Sequence, residues 1–208
     1  MRRSYSVDEN YELVFNAPLT TNLQDTVSGV VGVTNLTSGG TIDSERGLYG
    51  YTNGVNKYFL KFDLRNTAFR TKAYQKQAFL LQYTITAHPN NSSQPLRPVL
   101  WQVSDNATTN NAILWNNCSR TDQGLVFDTE QTFYQLSEHD WVNMKSTTVR
   151  WNNLNDKEEH AVWTNNSGGW RMDNFNNVNY VFICSSIQNG NSACTGYIKD
   201  IKFYVSRQ

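Results

Sequence analysis

Short apolar runs with a two-residue period alternate along this chain with clusters of Asn, Gly, Ser and Pro, and helical periodicity is nearly absent. That pattern predicts strands joined by turns. The clearest run is Tyr58 to Leu64, where Tyr58, Leu60, Phe62 and Leu64 share one face against Phe59, Lys61 and Asp63. One side is thus set for burial and the other for solvent. Ala78 to Thr86 carries apolar residues in both parities, which predicts a central strand covered on two sides. Further strands are expected at Glu12 to Phe15, Pro98 to Val103, Ala112 to Trp115, Leu125 to Asp128, Thr147 to Trp151 and Ala161 to Thr164. Arg65 to Gln77 has mild helical character and predicts a turn of helix ahead of the central strand.

Two more strands close the chain as an expected hairpin, Tyr180 to Ser186 and Gly196 to Val205, joined by the polar turn segment Gln188-Asn189-Gly190-Asn191. In the second, Ile198 and Ile201 stand three apart and cannot share a face of a regular strand. A bulge near Lys199-Asp200 would reconcile them. Without it, Tyr197, Ile201, Phe203 and Val205 form the buried face. Turn clusters at Thr37 to Gly40, Pro89 to Pro98, Asp105 to Asn111 and Asn165 to Gly169 set the loops, and no repeat of 20 to 50 residues is visible.

The closing strand, with Gly196, Ile198, Asp200, Ile201, Phe203 and Tyr204, resembles that of laminin-G-like, concanavalin-A-like sandwich domains. Leu13 to Gly29 (LVFNAPLTTNLQDTVSG) is similar to their opening strand and first turn, through Pro18, Leu19, Asn22, Leu23 and Asp25. Tyr58 to Leu64, Ala78 to Thr86 and Trp141 to Trp151 fall where these domains place core strands. The resemblance spans residues 11 to 206 and implies an all-β, antiparallel β-sandwich of the jelly-roll, concanavalin-A-like kind. It also implies a domain that binds rather than catalyses.

The 208 residues suit one domain, read as an N-terminal arm over 1–10 and a sandwich over 11–208. Basic and acidic residues balance at 18 each, so no long-range field draws nucleic acid or anionic lipid. Charged residues are only 17% of the chain, which leaves hydrogen bonding and aromatic contact to the abundant Asn, Thr, Ser, Tyr and Trp. No apolar stretch approaches the roughly 20 residues of a membrane span, and Ser4 to Asn10 lacks the apolar centre of a signal peptide. The expected setting is extracellular, on a cell surface or a virion surface. Three cysteines leave at least one unpaired. Cys184 and Cys194 are open to a disulfide if their Cα atoms approach within about 7 Å, and the odd count favours free thiols.

Candidate chemistry is sparse. Glu138-His139-Asp140 begins like the paired-acid motif of sandwich-fold glycan hydrolases, but the place of the general acid is taken by Asn143, and the three residues are expected in a turn before a strand opening at Trp141. His88, His139 and His160 are dispersed and read as loop histidines, and no G-x-S-x-G elbow occurs. The resemblance implies Ca2+ as the cofactor to test, with Asp105 and Asn106 as ligands and Asp173, Asn174 and Asn176 as a second cluster; each also reads as a turn. For sugar, Asn165 to Asn174 (NNSGGWRMDN) offers Trp170 as a stacking platform beside Asn165, Asn166, Arg171, Asp173 and Asn174. The same Trp170 would equally plug the sandwich edge. Six N-x-Ser/Thr positions, Asn35, Asn90, Asn91, Asn106, Asn117 and Asn165, arise readily in so Asn-rich a chain.

The expected function is a non-enzymatic binding or display module, for carbohydrate recognition or structural attachment. Its partners would be a glycan or neighbouring protein subunits of a larger assembly, without nucleic acid or membrane insertion. The rivals are a glycan-cleaving hydrolase using Glu138 and Asp140, and a viral coat jelly roll, whose basic arm only Arg2 and Arg3 would supply.

Overall fold

The computed structural model describes residues 10–34, 40–52, 59–75, 78–89, 97–101, 112–114, 124–140, 145–154, 159–164, 180–184 and 194–207. Among these the chain forms two antiparallel sheets. The larger runs β11(Glu159–Thr164), β10(Lys145–Asn152), β9(Glu130–Asp140), β6(Ala78–Ala87), β13(Cys194–Ser206), β4(Gly47–Thr52), β3(Thr41–Asp43), and β1(Tyr11–Ala17) pairs with β13 beside β4. The smaller runs β2(Val33–Thr34), β5(Leu60–Asp63), β12(Tyr180–Cys184), β7(Arg97–Trp101), β8(Ala112–Leu114). The molecule is therefore an all-β antiparallel sandwich, with α1(Ala68–Gln75) in the stretch expected to turn helical.

Alternation builds the core. Phe79, Leu81, Tyr83 and Ile85 of β6 point inward with Phe133 of β9 and Phe203 of β13, and meet Leu60, Phe62, Val181 and Ile183 of the smaller sheet. Phe15 from β1 lies edge-on to Phe62 at 5.1 Å and to Phe203 at 5.5 Å, and Phe69 of α1 closes the group at 6.3 Å. Each such ring pair adds about 0.5–1.5 kcal/mol to the burial itself. Leu80 and Leu136 are also buried but stand outside this cluster, on the opposite face of β6 and β9, so β6 buries apolar side chains on both faces around Leu80, in line with its mixed parity.

β13 resolves the spacing of its two isoleucines. Pairing with β6 shifts between Lys199 and Lys202, Asp200 takes a left-handed φ of 52°, and Ile198 and Ile201 are both fully buried. The bulge is where the sequence requires it, and Asp tolerates that conformation better than most residues. Tyr197 consequently faces away from the core. The first and last strands are neighbours, from Tyr11 opposite Ser206 to Ala17 opposite Ile201, but β13 is an interior strand and not an edge. The turn after β1 is organised by the fully buried Asp25, whose carboxylate accepts from the backbone N–H of Asn16 at 2.8 Å, Val27 at 3.1 Å and Ser28 at 3.1 Å, and from the Ser28 hydroxyl.

Three expectations are corrected. Leu125 to Asp128 is a turn, not a strand, because the Gln131 side chain takes the Val126 N–H at 2.7 Å and donates to the Gly124 carbonyl at 2.9 Å. Glu138-His139-Asp140 ends β9 in register with Thr147, Ser146 and Lys145, so these residues continue a ladder and are not the turn expected there. β12 and β13 do not pair with each other but belong to different sheets. Residues 1–9 of the expected arm and the Cys184 and Cys194 side chains lie outside what is described.

Candidate functional site

Every residue singled out for a ligand or metal, namely Asn165, Asn166, Trp170, Arg171, Asp173 and Asn174 for sugar and Asp105 and Asn106 for calcium, with Asn176, lies outside the described residues. Among the described residues no group of three or more His, Cys, Asp and Glu side chains is placed to hold a metal ion. The concentration of chemistry that the described chain does assemble is elsewhere, on the outward face of the larger sheet.

The site begins with a glycine. Gly47 opens β4 at a φ of 93°, and a Cβ there would fall 2.3 Å from the Ile198 carbonyl oxygen, so the β3–β4 hairpin can lie tightly on β13 only with glycine at this point. Leu48 then enters the core and Tyr49 faces out, directly opposite Tyr197. Their ring centroids are 5.0 Å apart. The His88 ring, just past the end of β6, stands 6.2 Å from Tyr49 and 5.8 Å from Tyr197, nearly perpendicular to the latter at 83°.

Charged groups fix this trio of rings. The hairpin turn brings the Arg46 guanidinium over the Tyr197 ring at 4.1 Å, a cation–π arrangement. Asp43 holds it there: one carboxylate oxygen accepts from Arg46 Nη2 at 2.8 Å and Nε at 3.1 Å, and the other caps the Glu45 and Arg46 N–H groups at 2.9 Å each. The Arg46 side chain is the main reason the Asp43 carboxyl is held down at about 2. His88 is fixed by its backbone N–H donating to the Thr195 carbonyl at 3.1 Å and by its ring Nδ1 lying 2.8 Å from Asp128 Oδ1. Lys199, largely sheltered at 15% side-chain exposure, reaches Glu130 at 2.7 Å and the Glu45 carbonyl at 2.6 Å.

Arg46 and Lys199, the cations bordering the rings, thus each already face a carboxylate, and the ring surfaces are partly exposed between them. Such a face offers apolar ring area beside N–H donors and carboxylate acceptors, the combination that fits a polyhydroxylated ligand. Tyr197 escaped the sequence because tyrosine within a strand reads as core, and Tyr49 because no strand was expected at β4. His88 reads as a loop residue. The bulge was the available signal for Tyr197, since placing it turns that side chain outward.

Glu138, of the expected acid pair, is exposed on the same outward face of β9. No family model and no curated protein matches the sequence. Among solved structures, the chain is similar to the binding domain of botulinum neurotoxin DC, at 10% identity over 98% of this chain and 50% of that one, with a TM-score of 0.46. It is also similar to a CBM40 of a Ruminococcus gnavus sialidase, at 11% identity over 76% and 90% with a TM-score of 0.38. Peanut lectin aligns at 10% identity over 99% and 95%, with a TM-score of 0.37. These likenesses concern the β-sandwich, the architecture that the two ends of the chain also resemble.

Proposed function

We propose that this chain is a non-catalytic module that recognises carbohydrate through the Tyr49–Tyr197–His88 face, working outside the cell on a cell or virion surface. The observation that carries the reading is the trio of rings within 5.0–6.2 Å of one another on an outward sheet face, clamped by Arg46–Asp43 and His88–Asp128. Rings held this way present ready-made stacking surface for the C–H faces of a sugar, and little side-chain entropy is left to lose on binding. Arg46, His88 and Asp128 supply hydrogen bonds to hydroxyls at the margin.

A glycan array with the full chain tests this. Tyr197→Ala is expected to reduce retained signal about tenfold, the scale of one lost aromatic contact with its apolar area. Unchanged binding in that variant, folded to the same melting temperature, would refute the site. Turnover of a bound glycan, abolished by Glu138→Gln, would replace the module with an enzyme.

A further inference from the structure

The same outward face carries a second aromatic body. Tyr134 of β9 and Trp151 of β10 are register partners whose rings form an offset stack, 5.2 Å between centroids and 7° from parallel. Two strand spacings of about 4.8 Å separate Tyr134 from the β13 column, and Gln82 and Thr86, the β6 partners of Tyr134 and Tyr197, lie four residues apart at about 3.4 Å each. Roughly 16 Å of sheet therefore lies between the stack and Tyr197. That is more than one sugar ring can bridge. The floor between them is polar: Gln82 beside Tyr134, then Thr132, whose hydroxyl lies 3.0 Å from that of the buried Thr84, and Asn153, whose side chain accepts from the Thr132 N–H at 2.9 Å.

Charge narrows the ligand further. Arg46 faces Asp43, Lys199 faces Glu130 and the His88 ring is hydrogen-bonded to Asp128, while Lys202, beside Gln82, and Glu138, beside Ala78, stand on the same face. An anionic sugar would have to compete with a carboxylate for every one of the paired cations. An uncharged one need not.

We propose that the outward face of the larger sheet binds an uncharged linear oligosaccharide that spans from the Tyr49–Tyr197–His88 cluster to the Tyr134–Trp151 stack. This rests on the carbohydrate reading of the first cluster and adds the second subsite, the chain length and the absence of charge. Tyr134 and Trp151 also pair across strands, which alone stabilises a sheet. The test therefore has to separate binding from folding.

Binding of neutral gluco-, manno- and galacto-oligosaccharides, from mono- to hexasaccharide, is measured by calorimetry against sialylated and sulfated glycans. Affinity is expected to rise with length within one neutral series. Trp151→Ala is expected to lose about three- to tenfold on the longest members and nothing on the shortest, with Trp151→Phe recovering most of the loss. A merely structural pair would lower the melting temperature of Trp151→Ala and leave the length dependence intact, which would overturn the inference while the first cluster stands. Preferential binding of anionic glycans would overturn it too. Indifference of all binding to Tyr197→Ala would instead bring down the carbohydrate reading itself.

Discussion

Gly47→Ala separates a local dihedral cost from a tertiary clash. An alanine at φ 93° carries backbone strain of about 1–3 kcal/mol. At Gly47 the new methyl would also meet Ile198 O at 2.3 Å and Lys199 Cβ at 2.6 Å. The first of these is main chain in an interior strand and cannot step aside, so overpacking adds about 1–3 kcal/mol. The sum is about 2–6 kcal/mol. With an unfolding entropy of about 2.1 cal/mol/K per residue over 208 residues, that lowers Tm by about 5–14 °C. Gly29→Ala is the matched control, because Gly29 has a similar φ of 79° and its added methyl would have only Gln24 Nε2 nearby, at 3.9 Å. It carries the dihedral cost alone. Melting both variants by circular dichroism, with glycan binding measured in parallel, should show Gly47→Ala melting at least about 2 °C below Gly29→Ala, the lower bound of the overpacking cost. Gly47→Ala should also lose ligand as the hairpin carrying Arg46 and Tyr49 lifts. Equal melting of the two would refute the claim that contact with β13 positions the site.

Phe15→Ala removes a ring shared by β1, β13, α1 and the smaller sheet and is expected to cost about 3–5 kcal/mol, or about 7–11 °C in Tm; a loss under 2 °C would contradict its place in the core. Asp25→Ala strips three backbone N–H groups and a hydroxyl of their acceptor and should cost about 2–4 kcal/mol in denaturant unfolding. The Asp43 carboxyl, held at about 2, lies below its unfolded value of about 3.9, so the Asp43–Arg46 clasp is complete above about pH 4 and is lost as pH falls through about 2. Carboxyl NMR titration should show this, with Arg46→Ala raising Asp43 only part of the way back, because the Glu45 and Arg46 backbone N–H groups still donate to it. A wild-type midpoint near 4 would disprove the clasp.

Much of the sandwich was legible because strands with one apolar face announce themselves. β5 alternates Leu60 and Phe62 against Lys61 and Asp63, and the bulge in β13 follows from two isoleucines that must both be inside. β9 was not legible, although it is eleven residues long. Its core-facing positions include Gln131, Gln135 and Ser137, all fully buried, while Leu136 is buried on the other face. Polar residues inside and an apolar one outside cancel the alternation. β4 was hidden by Gly47 and Gly50, which read as turn. The ring cluster depends on partners far apart in sequence, such as His88 with Asp128 and Lys199 with Glu130, and no local pattern reports such meetings. Asp43 and Arg46, three apart in one turn, could have been read directly.

β13 touches β1, β4 and β6 at once, yet it is the last of the described strands to be synthesised. While the ribosome is still making the chain, the larger sheet has a gap where its middle should be, and Phe15 and Phe79 lack the Phe203 ring, and Tyr49 the Tyr197 ring, that they pack against. The half-made product is thus a set of unsatisfied strand edges waiting on one arrival. Closure is expected to be slow, all-or-none and prone to capture by other nascent chains, with Lys199 and Lys202 as charges that discourage such mispairing.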